Sequence, residues 1–155
     1  MTRTATARDD RLTGGPTLLY LVKQLELAIR ARLDEVLRPV AITPVQYTAL
    51  TVLERRADLS TAELARNAFV TDQSAAEMVG VLEERGLLAR RPDPADRRRR
   101  VLRLTSSGQE LLDRVRADVA AVEERMLSAL APDEAEDLRR SVVSCRGALA
   151  GAPAH

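Results

Sequence analysis

Apolar residues in the first part of the chain recur at steps of three and four positions, which is the period of an amphipathic helix. They follow a polar stretch that ends in two glycines, and they comprise Leu18, Val22, Leu25, Ile29, Leu33, Val36 and Leu37. This pattern predicts a first helix over residues 16–37, preceded by a flexible polar tail over residues 1–15.

A second helix is predicted from residues that satisfy free backbone N–H groups at a helix start. Thr43 is a typical N-cap, Pro44 suits the first helical position, and Gln46 can bond back to the Thr43 backbone to complete a capping box. We therefore expect a helix that begins after Thr43 and ends near Arg55.

Two shorter helices follow, separated by a tight turn. Ser60 and Glu63 form another capping box, which predicts a helix over residues 61–67. Thr71 is the expected N-cap of a fourth helix, which continues to about Arg85. The predicted inner face of this helix pair consists of Ala65, Val70, Ala75, Val79 and Leu82.

A β-hairpin is predicted after the fourth helix. Gly86 stands where a helix commonly ends in a left-handed residue, and residues 87–105 contain two strand-like segments around a turn at residues 92–94. The hairpin is basic, because Arg97, Arg98, Arg99 and Arg100 follow one another at its tip. Such a density of charge favours phosphate binding over strand formation.

The last third of the chain predicts two helices, within residues 106–150. The first has a heptad-like apolar stripe made of Leu112, Val115, Val119, Val122, Met126 and Ala129. At roughly 25 residues it would extend about 37 Å, more than a domain of this size covers alone. Its stripe therefore either belongs to the internal core or contacts a second chain. Both interpretations hold if some turns of the helix pack in the core and others contact the second chain. Pro132 starts the last helix.

The order helix, turn, helix, basic hairpin is that of a winged helix, in which the second helix enters the DNA major groove and the hairpin contacts the backbone or minor groove. The charge distribution agrees, since the net charge is only +1 but residues 85–103 hold eight arginines against Asp93 and Asp96. Polar side chains on the first turn of the fourth helix are the candidate base or phosphate contacts, namely Thr71, Gln73 and Ser74.

Three segments resemble the MarR (multiple antibiotic resistance regulator) family of winged-helix regulators. They are ITPVQYTALTVL from Ile42, LSTAELARNAFVTDQSAAEMVGVLEERGLLAR from Leu59, and DPADRRRRVLRLTSSGQELL from Asp93. The resemblance implies one domain over residues 1–155, mainly α with a small β-hairpin wing: a winged helix-turn-helix region at 42–105, and dimerisation helices at 16–37 and 106–150.

The same resemblance implies a ligand-responsive repressor that binds double-stranded DNA as a homodimer at a palindromic operator. Asp96 would orient the wing arginines, and Arg98 would lie near phosphate or the minor groove. Glu77 departs from the family, which often has a basic or small polar residue at this position. A carboxylate there would repel phosphate rather than bind it. Tyr20 and Tyr47 fall where a pocket for a small-molecule effector is expected, although both also suit the edge of an ordinary core.

Other classes of function have little support in the sequence. No catalytic constellation, phosphate-binding loop or cofactor motif is present, and the single histidine, His155, is terminal, so we expect no enzyme, no cofactor and no metal. No apolar run suits a membrane span or signal peptide, which predicts a cytoplasmic protein without a membrane partner. The alternatives are a dimeric helical module acting through a protein partner and a thiol-based redox regulator using Cys145, which we interpret instead as an inert, buried thiol.

Overall fold

The computed structural model describes residues 15–150, so most of the predicted tail and His155 lie outside the described residues. Its elements in chain order are helix α1 (Leu18–Leu37), a 3-10 turn (Arg38–Val40), α2 (Pro44–Arg55), α3 (Thr61–Ala68), α4 (Asp72–Glu84), strands β1 (Leu88–Pro92) and β2 (Arg100–Leu104), α5 (Ser106–Leu127) and α6 (Pro132–Ala150). The predicted mainly α fold with a β-hairpin wing is confirmed.

The predicted caps explain where α2 and α3 begin. The Gln46 N–H donates to the Thr43 hydroxyl (3.2 Å), and the Thr43 N–H donates to the Gln46 side chain (3.0 Å). Ser60 and Glu63 form the same reciprocal pair, at 3.2 and 2.7 Å. Each box satisfies two N–H groups that have no partner within the helix, so both starts are encoded locally.

Two predicted boundaries differ slightly from the structure. Helix α1 begins at Leu18 rather than residue 16, because Thr17 in extended conformation caps it through the Tyr20 N–H. Helix α3 extends to Ala68 and ends at Phe69, whose left-handed conformation (φ 60°) breaks the helical run. Gly86 has the predicted left-handed conformation (φ 70°) after α4.

The wing is longer at its tip than expected. β1 and β2 are antiparallel, and their last paired residues are Pro92 and Arg100. The predicted turn at residues 92–94 is therefore wrong: Pro92 still belongs to β1, and the connecting loop covers residues 93–99. The base of the wing is joined to the rest of the fold by an isolated bridge between Leu59 and Leu102.

The hydrophobic core joins the winged-helix region, which we define as residues 42–105, to the last turn of α1 and the first turns of α5. Its fully buried large side chains are Leu37, Leu50, Leu64, Leu82, Leu88, Leu102, Leu112, Val79 and Val101. Burial of each such side chain contributes about 1.5–3 kcal/mol. The ends of both long helices are thus fixed to the same core as the wing.

Burial along α5 decreases toward its C-terminus. Leu112 and Val115 are buried, Val119, Val122 and Met126 are half-buried, and Ala129 beyond the helix is exposed. The first turns therefore serve as internal core, and the later turns leave the predicted stripe partly uncovered. No single helix within residues 15–150 is long and apolar enough to cross a membrane; α1 with its 3-10 turn passes such a test only jointly with α2, at a bend of 79°.

Candidate nucleic-acid interface

Helix α4 has one buried face and one polar, exposed face. Ala75, Met78, Val79 and Leu82 pack into the core, as the apolar period predicts. The exposed first turns carry all three predicted contact residues, Thr71, Gln73 and Ser74, as well as Glu77. This end of α4 can therefore enter a groove without disturbing the core.

The three polar candidates are not equivalent. The Thr71 hydroxyl accepts a hydrogen bond from the Ser74 N–H (3.1 Å) and donates one to the Ser74 hydroxyl (3.0 Å). Both side chains are thus held in the N-terminal cap of α4. The Gln73 side chain makes no hydrogen bond within the described part of the chain, so its amide group is available to bind a ligand.

The C-terminal end of α4 is attached to the link between α1 and α2. The Arg85 guanidinium donates to the carbonyl oxygens of Val40 (2.9 Å) and Ala41 (2.5 Å), two positions where the chain leaves the 3-10 turn. On the other side of Gly86, the Thr105 hydroxyl donates to the Gly86 carbonyl at 2.6 Å. These bonds couple the orientation of α4 to that of α1 and α5.

Two aspartates shape the loop of the wing. The Asp93 carboxylate accepts a bond from the Ala95 N–H at 2.9 Å, and the Asp96 carboxylate accepts one from the Arg98 N–H at 3.0 Å. The Arg99 N–H donates to the Asp96 carbonyl at 2.9 Å. Such side-chain-to-backbone bonds are typical of Asx turns. Asp96, predicted as a wing-orienting residue, therefore acts on the backbone of Arg98 and Arg99 rather than on an arginine side chain.

The four consecutive arginines fall into two groups. Arg99 pairs with Glu63 at the start of α3 and lies 3.4 Å from a carboxylate oxygen of Asp93, whose side chain is only 12% exposed. Arg97, Arg98 and Arg100 are exposed and form no ion pair with any residue in the range 15–150. Three guanidinium groups are thus available for an anionic ligand, and the fourth holds the wing against α3.

The base of the wing is held by a second ion pair. Arg103 on β2 donates to both carboxylate oxygens of Asp58, at 2.5 and 2.7 Å. This bond, together with the charge of Arg103, lowers the pKa of Asp58. The pKa of Glu63 is lowered mainly by the Ser60 N–H. Both carboxylates are therefore ionised at neutral pH and keep their arginine partners.

Neither of the two clefts described below is lined by Tyr20 or Tyr47. Tyr20 is exposed on α1, and Tyr47 packs against the core, where burial raises the pKa of its hydroxyl. A cleft of about 560 Å³ instead lies between α1 and α5. It is lined by both apolar and charged residues, namely Leu25, Ala28, Ile29, Arg32, Glu35, Val36, Asp118, Ala121, Val122, Arg125 and Met126. A smaller cleft of about 300 Å³ near Arg103 also lacks both tyrosines.

Two further residues differ from the expectation or were not predicted. Cys145 is exposed on α6 rather than buried within the chain. Phe69, between α3 and α4, is 84% exposed. The Arg99, Arg103 and Arg85 contacts were also not predicted, because each joins residues that are between 36 and 45 positions apart in the sequence.

A helix pair with an exposed polar first turn on its second helix, followed by a two-stranded basic wing, defines a winged helix-turn-helix protein. The model of the MarR family matches residues 42–99. The HTH-type transcriptional repressor Rv2887 of Mycobacterium tuberculosis is 31% identical over 121 residues, which is 78% of this chain and 87% of the relative. The chain belongs to the MarR family.

Solved structures support the same assignment. The transcriptional repressor CouR bound to a 23-mer DNA duplex superposes with a TM-score of 0.73 at 29% identity, covering 86% of this chain and 92% of CouR. The MarR family protein Rv2887 in complex with DNA has a TM-score of 0.71 at 29% identity, with coverage of 84% and 98%. The architecture is therefore that of proteins solved on DNA.

Proposed function

We propose that the protein is a transcriptional repressor that binds a specific double-stranded DNA site, inserting the start of α4 into the major groove and the wing along the adjacent backbone. One observation carries this proposal: the winged-helix region presents both Gln73, whose side chain has no hydrogen bond in the described residues, and three exposed wing arginines without ion pairs in the same residues. Glutamine can read adenine, and arginine binds phosphate or guanine.

The repressor acts as a homodimer. Apolar exposure is concentrated on the terminal helices, with Leu18, Leu19, Tyr20, Leu21, Val22, Leu25 and Leu27 on α1, and Val142, Val143 and Leu149 on α6. An apolar surface of this size is rarely left in water. We place the terminal helices of the second copy over this surface and over the cleft between α1 and α5. Two-fold symmetry would then present two α4 helices to a palindromic operator.

The same helices provide a route for regulation. Because Arg85 and the core attach α4 to α1 and α5, a small-molecule effector that shifts the dimer helices changes the distance between the two α4 helices. We assign the protein no enzymatic activity. We place it in the cytoplasm, where the chromosome is accessible. Glu77, which is exposed one helical turn after Gln73, would accept a hydrogen bond from a cytosine amino group rather than contact phosphate.

Selection of duplexes from a random library by the full-length protein, followed by footprinting of its upstream DNA, tests the proposal. We expect an inverted repeat whose half-sites lie about one helical turn apart. Gln73→Ala should relax the base preference at one position in each half-site, whereas Arg98→Ala should weaken binding to all sequences alike. Equal affinity of the parent protein for selected and random duplexes would overturn the proposal.

A further inference from the structure

Phe69 occupies a position that the fold itself does not favour. It ends α3 in the left-handed conformation, with φ 60° and ψ 40°, where glycine or asparagine is usual because a β-carbon is crowded there. Its ring is also 84% exposed, more than any other large hydrophobic side chain in the described residues. The residue therefore combines an unfavourable backbone conformation with an unfavourable solvent exposure.

The location of Phe69 suggests what compensates for these two costs. Phe69 lies two positions before Thr71, the N-cap of α4, and is therefore close in sequence to the exposed turn that carries Gln73. The surface proposed for dimerisation is on α1 and α6, whereas α3, which Phe69 ends, packs mainly against α2 and α4. Within the winged-helix region the other exposed large hydrophobic residues are Val45 and Val81, which are only 38% and 44% exposed. Dimerisation therefore leaves the exposure of Phe69 unexplained.

We propose that Phe69 is an apolar DNA contact of the repressor, packing against the deoxyribose or the thymine methyl group at the edge of the major groove where α4 enters. This inference rests on the proposed function and identifies a specificity residue within the same interface. The thymine C5-methyl is the apolar group that the major groove presents, and apolar side chains contact it. A ring at the start of a groove-binding helix is placed to meet that methyl group or the adjoining sugar.

Thermal stability and DNA affinity should respond differently to the loss of the Phe69 ring. Phe69→Gly and Phe69→Asn both suit a left-handed residue and remove an exposed ring, so each variant should have a Tm equal to or above that of the parent. Each should nevertheless bind the duplex selected by the parent about 3- to 10-fold more weakly. The slope of log affinity against log salt should not change, because an apolar contact releases no counterions.

Val45→Ala is the matched control, since Val45 is another partly exposed hydrophobic residue of the same region, and it should keep the parent affinity. Replacing thymine by uracil at each selected position then identifies the contacted group. Loss of affinity in the parent but not in Phe69→Gly assigns the thymine methyl, and no loss in either assigns the sugar.

Parent affinity in both Phe69 variants, or a lower Tm in both, overturns the inference. Failure of the parent protein to select any duplex overturns the proposed function instead.

Discussion

Arg103 donates hydrogen bonds to both carboxylate oxygens of Asp58, which lies 45 positions earlier in the sequence. These bonds join the base of the wing to the loop before α3. Asp58 is itself left-handed (φ 63°), a conformation that asparagine also tolerates. Asp58→Asn therefore removes the charge while keeping the backbone shape. Because the pair is partly exposed, we expect a fall in Tm of only about 1–3 °C at neutral pH.

The pH dependence of that difference follows from the lowered pKa of Asp58. The stabilisation is present at pH values above the unfolded pKa and is lost as the pH falls through the lower folded pKa. The Tm values of the parent and of Asp58→Asn should thus converge in acid. Thermal unfolding by circular dichroism over a pH series measures this, and a constant difference down to about pH 2 would contradict it.

Close packing between α5 and the start of the wing depends on Gly108. A methyl group at this position would overlap the Leu87 carbonyl oxygen and lie 2.6 Å from Leu104 Cδ1. We expect Gly108→Ala to lower the free energy of unfolding by about 1–3 kcal/mol. Chemical denaturation measures this change.

Gly80→Ala on α4 is the matched control, because a Cβ added at Gly80 meets no packing partner within 4 Å. It should instead stabilise the protein by up to about 1 kcal/mol, since alanine favours a helix. Equal effects of the two substitutions would show that the Leu87 contact does not limit the packing.

The proposed dimer interface predicts a large effect for a charge on α6. Val142 is exposed within one chain, and Val142→Asp would place a carboxylate in a desolvated apolar contact. Sedimentation equilibrium should show a dimer Kd raised by at least about 10-fold. Ser144→Asp, on another face of the same helix, should leave the Kd unchanged. A monomeric parent protein would exclude the interface altogether.

The helices and the wing could be predicted because their signals are local. Capping boxes at Thr43 and Ser60 and the three- and four-residue period depend on neighbours in sequence. The length of the wing loop could not be predicted, because Arg99 is held by contacts with Asp93 and with Glu63, and Glu63 is 36 positions away from Arg99. Tyr20 and Tyr47 were predicted from helix position alone, and position does not determine which residues line a cleft.

The separate roles of the wing arginines could not be predicted for the same reason, because they depend on long-range contacts. Composition makes all four of them equivalent, and only the fold shows that Glu63, already used in a capping box, also binds Arg99. Glu63 thus satisfies the α3 start and holds the wing at once. A residue with an evident local role can have a second, long-range one that sequence reasoning does not reveal.

Phosphate binding and wing positioning can be separated by substitutions at Arg98, Arg99 and Glu63. If Arg98 contacts phosphate, Arg98→Ala should weaken DNA binding and reduce the salt slope by about one charge. Arg99→Ala should weaken binding with little change in slope, because Glu63 and Asp93 already neutralise its guanidinium. Glu63→Gln keeps the capping-box acceptor but removes a charge that holds Arg99, so it frees this arginine for DNA and should steepen the slope. Fluorescence anisotropy of a labelled duplex over a salt series measures all three, and a full unit lost from the slope in Arg99→Ala would place Arg99 on the phosphate backbone with Arg98.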